Sequence, residues 1–177
     1  MTLHLSHDIG PAYGQAKLTG DEKQTVLALI QRRVVERIPA CYLTGNAWFA
    51  GLNFKSDERA LVPRSPIAEL IESGFEPWIG ELYVERALDL CTGSGCIAIA
   101  MAHYNPDWLV DGADISDAAL SLAAENKARL YADNCNFVKS NLFQGLQGKV
   151  YDLIVTNPPY VTNDETDALP QEYAHEP

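Results

Sequence analysis

The chain has 177 residues, enough for one full domain or for one domain with part of another, and no apolar run approaches the ~20 residues that span a bilayer, so no membrane role is expected. Hydrophobic residues make up 47% and charged residues 21%, ordinary values for a soluble globular protein. With 24 acidic against 13 basic residues the net charge is -11, which repels phosphate backbones and attracts basic partners, or serves solubility alone.

The N-terminus, Met1 to Leu5, has no basic region followed by an apolar stretch, so no secretory signal is expected. The cysteines, Cys41, Cys91, Cys96 and Cys135, form no Cys-x-x-Cys pair and no spacing that suggests zinc or a disulfide frame. They read as reduced thiols of a cytoplasmic protein. Residues 1–18 carry no period. Thr19-Gly20-Asp21-Glu22 then reads as a capping box, followed by Val26, Leu29, Ile30, Val34 and Ile38 at helical spacing, with Pro39 as the stop. Residues 1–40 are therefore expected to be the end of a helical N-terminal domain. Trp48, Phe49, Leu52 and Phe54 around Ala50-Gly51 predict a β-hairpin within a 41–64 linker. Ser65 and Pro66 are the predicted cap and first position of a helix through Ile67, Leu70 and Ile71 to Gly74.

From residue 86 strands and helices alternate. The spacing predicts strands at 86–90, 109–114, 136–138 and 151–156. The helices between are 96–104 and one capped by Ser116 that carries Leu120, Ala123, Ala124 and Leu130. Such alternation implies right-handed crossovers and a parallel α/β sheet, here spanning 65–177.

The first βα turn, LDLCTGSGCIAIA at 88–100, places Gly93 and Gly95 where the backbone bends sharply and approaches a ligand, with a helix amino end aimed at the same place. It is not the Gly-x-Gly-x-x-Gly of dinucleotide enzymes, because Ala98 stands at the third position. Asp114, about 20 residues on at the end of the second strand, is where an acid holds ribose hydroxyls in this kind of fold. The two features define a nucleoside-type cofactor pocket, and NAD remains open on these residues alone. The fourth strand runs into Asn157-Pro158-Pro159-Tyr160. Two prolines fix the backbone and remove two donors, leaving the Pro158 carbonyl and the Asn157 side-chain oxygen as acceptors for both hydrogens of a planar –NH2 group, with Tyr160 as a stacking face. Such a nitrogen is a poor nucleophile, and holding it in line with a sulfonium methyl in a dry site is the main catalytic task.

LDLCTGSGCIAIA, GADIS, KSNLF and VTNPPY, in that order, resemble the protein glutamine-amide methyltransferases that modify release factors and a ribosomal protein. The strings NAWFAGL and VPRSPI within 41–71, and the tail LPQEYAHEP, resemble the branch that acts on large-subunit ribosomal protein L-three. The resemblance covers about 19–177. It implies a Rossmann-like class I sheet using S-adenosyl-L-methionine, with S-adenosyl-L-homocysteine as product. It assigns Thr92, Gly93, Ser94 and Gly95 to the cofactor, Asp114 to its ribose, and Asn141 and Leu142 to the adenine. Asn157 touches both cofactor and substrate, and Asn157, Pro158, Pro159 and Tyr160 bind the substrate amide, with Asn157, Pro158 and Tyr160 as catalytic residues. No metal is implied. Asn141 stands where the family usually has Asp, which adds a donor at the adenine.

A sheet of this class has about seven strands. Only 17 residues follow Tyr160, so the sheet is expected to be cut after its fourth strand, leaving an open edge for self-association. Two rivals stand beside the glutamine reading. One is an adenine-amino methyltransferase of nucleic acid, which would require direct nucleic-acid binding; with 13 basic against 24 acidic residues no such binding is expected. The other is a chain that keeps the pocket without catalysis. Cys91 and Cys96 beside the turn read as small apolar filler. His175-Glu176 lacks a second histidine at metal spacing. Arg64 is open between a cofactor or substrate carboxylate and a salt bridge.

Overall fold

Residues 16–159 and 170–177 are described in a computed structural model. The capping box forms as its residues dictate: Thr19 Oγ1 accepts the Glu22 amide at 3.3 Å, and the Glu22 carboxylate accepts the Thr19 amide at 2.7 Å. Helix α1 (Gly20–Val35) follows, but it ends before Pro39. Arg37 takes a positive φ of 59°, which breaks the helix. Pro39 instead precedes a short helix α2 (Ala40–Thr44) that the sequence reading did not anticipate, closed by Gly45 at φ 70°. No residue of α1 is fully buried.

Strands β1 (Asn46–Phe49) and β2 (Leu52–Lys55) pair antiparallel through the expected two-residue turn. Ala50 and Gly51 both have positive φ, as a turn matched to strand twist demands. Phe49 and Phe54 meet edge to face with centroids 6.4 Å apart. A strap over 56–66 leads to α3 (Ile67–Glu72), where Ser65 Oγ accepts the Ile67 amide at 3.3 Å and Pro66 has helical dihedrals.

The main sheet is parallel, in the order β5-β4-β3-β6, built from β3 (Arg86–Leu90), β4 (Leu109–Asp114), β5 (Cys135–Lys139) and β6 (Leu153–Thr156). Helix α4 (Cys96–Tyr104) links β3 to β4, and α5 (Asp117–Leu130) links β4 to β5. A 3-10 turn at Gln144–Leu146 precedes β6. Because α4 is apolar all round, it is buried all round: Ala98, Ile99, Ala100 and Met101 have no exposure. They pack with Val110 and Cys135 of the sheet and with Phe54 and Ile71. On the other face Leu88, Leu90 and Ala113 lie under Leu146.

Helix α5 turns a different stripe inward from the one expected. Ala119, Leu122, Ala123 and Asn126 are buried, whereas Ala124 is exposed and Leu120 and Leu130 are half-buried. The small Ala123 faces α4 where space is short, since a Cβ added to Gly95 would lie 3.0 Å from it. Tight packing, rather than hydrophobicity alone, sets the helix rotation.

Candidate functional site

The loop after β3 is built from left-handed residues. Cys91, Gly93 and Gly95 have φ of 66°, 55° and 79°, and the Gly95 amide donates to the Thr92 carbonyl at 2.9 Å. The two glycines serve different needs. A Cβ on Gly93 would meet only Ala60, at 3.9 Å, so the space above it is open. A Cβ on Gly95 would sit 2.8 Å from the Phe137 ring. Gly95 therefore lets α4 approach the sheet, and it does not itself line the cavity described below.

Beneath the turn lies Asp89, with no solvent exposure. Its Oδ2 accepts from the Thr92 hydroxyl at 2.5 Å and from the Ala98 amide at 3.1 Å, while its Oδ1 has no partner. Burial pushes its pKa up to about 7, against the lowering by those two hydrogen bonds. Thr92 is buried with its hydroxyl turned to Asp89 and its amide given to the Ala113 carbonyl.

Asp114 ends β4 and reads both sides of the loop. Oδ2 accepts the Gly93 amide at 2.9 Å and Oδ1 accepts the Ser116 amide at 2.9 Å. Each carboxylate oxygen keeps a further lone pair.

These elements enclose a cavity of about 450 Å³ at the carboxyl ends of β3, β4 and β6. Of the residues singled out in the sequence, Thr92, Gly93, Ser94, Asp114, Asn141, Leu142, Asn157, Pro158 and Pro159 line it; Tyr160 lies outside the described residues. Ile115 and Leu142, 62% and 56% exposed, supply apolar walls. Leu142 has a positive φ of 49°, and Ser140 Oγ steadies this loop by donating to the Leu142 carbonyl at 2.5 Å and accepting the Gly145 amide at 2.8 Å. Thr156 Oγ1 donates to the Leu90 carbonyl at 2.8 Å, which fixes the approach to Asn157.

Of one wall the sequence pointed only to Arg64. Residues 59–65 of the strap line the cavity opposite the βα turns. Arg59 is held by Asp57 and Glu125. Arg64, which also lines the cavity, pairs with Glu176 at 2.6 Å and lies 4.5 Å over the Tyr173 ring. The prolines of VPRSP were the available signal for a fixed, extended wall. Cys96 is buried and Cys91 half-buried, and burial raises both thiol pKa values. His175 contacts the Glu36 carbonyl at 2.7 Å. Among the described residues no helix is long and apolar enough to cross a membrane.

A parallel sheet with this order, a glycine turn after its first strand and an acid after its second together define a Rossmann-like fold with a nucleoside-type pocket. Solved structures share it. Human methyltransferase 10 domain containing protein superposes with a TM-score of 0.54 at 20% identity, over 86% of this chain and 69% of that one. The tRNA (uracil-54, C5)-methyltransferase of Pyrococcus abyssi, solved with S-adenosyl-L-homocysteine, gives 0.50 at 17% identity, over 64% and 28%. Residues 78–173 match the methyltransferase small domain, and the chain belongs to that family. It is 77% identical to the ribosomal protein uL3 glutamine methyltransferase of Xanthomonas campestris over 176 residues, 99% of this chain and 57% of that protein. The chain thus spans little more than half the length of the curated relatives it matches.

Proposed function

We propose that the chain carries the cofactor and amide sites of an S-adenosyl-L-methionine-dependent glutamine N-methyltransferase that acts on ribosomal protein uL3. The observation that carries this reading is the meeting of two loops on one cavity: the Gly93–Asp114 corner and Asn157-Pro158-Pro159. The residues suit the cofactor. Gly93 leaves open space, Asp114 keeps lone pairs for ribose hydroxyls, and Ile115 and Leu142 offer apolar surface to a purine. When bound, the cofactor supplies an electrophilic methyl group on sulfonium sulfur.

The chain's own residues handle the amide. Asn157 and the Pro158 carbonyl accept its two N–H groups, and prolines at 158 and 159 keep rival backbone donors out of the loop. The nitrogen needs orientation more than a base, because it sheds its proton only after the new bond has formed. The strap over 59–65 forms the opposite wall. An acidic chain suits a basic ribosomal protein substrate, and the same charge disfavours adenine in nucleic acid, whose exocyclic amine would fit the same acceptors.

Incubating the purified protein with labelled S-adenosylmethionine and uL3, with release factor and DNA as controls, tests the reading. Methyl incorporation at one uL3 glutamine is expected. Incorporation into DNA, or into release factor in preference to uL3, would overturn the substrate assignment.

A further inference from the structure

Asn126 is a fully buried amide on the inner face of α5, in register with Ala119, Leu122 and Ala123. Its whole side chain is engaged. Oδ1 accepts the Lys55 amide at 2.7 Å, while Nδ2 donates to the Lys55 carbonyl at 3.1 Å and to the Ser94 carbonyl at 3.0 Å. The two bonds to Lys55 copy what a neighbouring strand would give the end of β2. The third reaches the cavity-lining turn. One side chain therefore ties the hairpin to the loop that holds Gly93.

Other groups attach the hairpin to α5 without touching the turn. Lys55 Nζ pairs with Glu125 at 2.5 Å, and Arg129 donates to Asn46 Oδ1 at 2.9 Å and also bonds Asn53. No residue of another type reproduces the pattern at Asn126. Leucine fills the space and leaves three backbone groups unpaired. Aspartate accepts from the Lys55 amide but brings its charge against two carbonyls.

We infer that Asn126 is a positioning residue that sets the Ser94 carbonyl, and with it the cofactor turn, relative to the β1–β2 hairpin, so that occupancy of the cavity is felt at Lys55. The inference rests on the proposal that this cavity takes S-adenosylmethionine or its product. The consequence is reciprocal: whatever fixes the hairpin also fixes the turn.

Two measurements on the same samples test it, S-adenosylhomocysteine affinity by calorimetry and hydrogen exchange at the Lys55 amide. In the wild type, saturation with S-adenosylhomocysteine should slow Lys55 exchange by ~5-fold or more. Asn126→Asp should weaken binding by roughly 10-fold and abolish the slowing. Asn126→Ser, a milder change, should reduce both effects. Arg129→Ala, which loosens the hairpin without touching the turn, should keep wild-type affinity. Wild-type binding with no change at Lys55 would overturn the inference and leave the cofactor reading intact, as would an Asn126→Asp or Asn126→Ser variant that keeps both wild-type affinity and slowing. Loss of affinity in Arg129→Ala equal to that in Asn126→Asp would reduce Asn126 to a general hairpin anchor. Failure of the wild type to bind S-adenosylhomocysteine would remove both the cofactor reading and this one.

Discussion

Arg64 closes a loop of chain by pairing with Glu176, 112 positions further on. The partners differ in setting: the Arg64 side chain is 49% exposed and that of Glu176 only 3%. Glu176 Oε2 also accepts the Val62 amide at 3.2 Å, so the last described residues hold down the strap that walls the cavity.

That asymmetry predicts unequal mutants. Arg64→Ala leaves a buried carboxylate with one backbone partner and should cost ~1–3 kcal/mol. Glu176→Gln keeps the Val62 bond and removes the charge, and should cost less. Urea denaturation of both proteins checks the order, and equal small losses would remove the clasp from the stability of the strap.

Asp114→Ala strips the acceptor from the Gly93 and Ser116 amides and from any ribose in the cavity. Affinity for S-adenosylhomocysteine should fall by ~1–3 kcal/mol. Calorimetry decides, and NAD binding without S-adenosylhomocysteine binding would end the cofactor proposal.

Asn157→Ala should remove most methyl transfer while leaving cofactor binding largely intact, the loss falling mainly on the chemical step because the side chain is proposed to grip the reacting amide as well as touch the cofactor. Single-turnover assays on uL3 separate the two effects. Near-normal turnover would take Asn157 out of the mechanism.

Asp89 binds its proton more tightly in the folded chain, where burial raises its pKa to about 7, than in the unfolded chain near 3.8. Between those values the folded state carries more protons, so this residue makes stability fall as pH rises from about 4 to 7 and contributes no slope above that. Asn at this position can still accept from Thr92 and Ala98. Asp89→Asn should therefore flatten the profile in that window and leave the protein more stable at pH 8. An unchanged slope would show that Asp89 ionises normally.

Glu125 shows the opposite sign. Hydrogen bonds from Arg59 and then Lys55 lower its pKa to about 2. The stabilisation is present above ~4.5 and is lost as pH falls towards 2. The carboxylate is 41% exposed, so the effect should be small and should shrink in high salt. Glu125→Gln should remove both the acid-side loss and its salt dependence, as read from thermal melts across pH.

The sheet was legible because its strands and α4 are short apolar runs with sharp ends. The boundaries of α4 and β4 agree with the sequence reading to the residue, and β5 gained one residue at each end. The turn, Asp114 and the Asn-Pro-Pro loop stood out because glycines, an acid and two prolines follow strand ends, whereas Asn141 and Leu142 came from the family resemblance alone; all of them line the cavity except Gly95. Long-range contacts were not. Arg37 and Cys91 adopt left-handed conformations with no glycine to announce them. Asn126 gave a faint signal, a polar residue seven after Ala119 on the stripe that proved buried. The more hydrophobic alternative stripe through Leu120 and Ala124 masks it.

The side chain of Phe137 occupies the space that two glycines leave vacant. A Cβ on Gly95 would lie 2.8 Å from this ring, and one on Gly112 would lie 2.7 Å from it. The ring thus acts as a gauge between sheet and helix, fixing how deep the turn rides above β4. A side chain at either glycine therefore requires a smaller residue at 137, so the three positions can be resized only as a set. Phe137 lines no part of the cavity, yet its ring sets how closely the turn and β4 can approach.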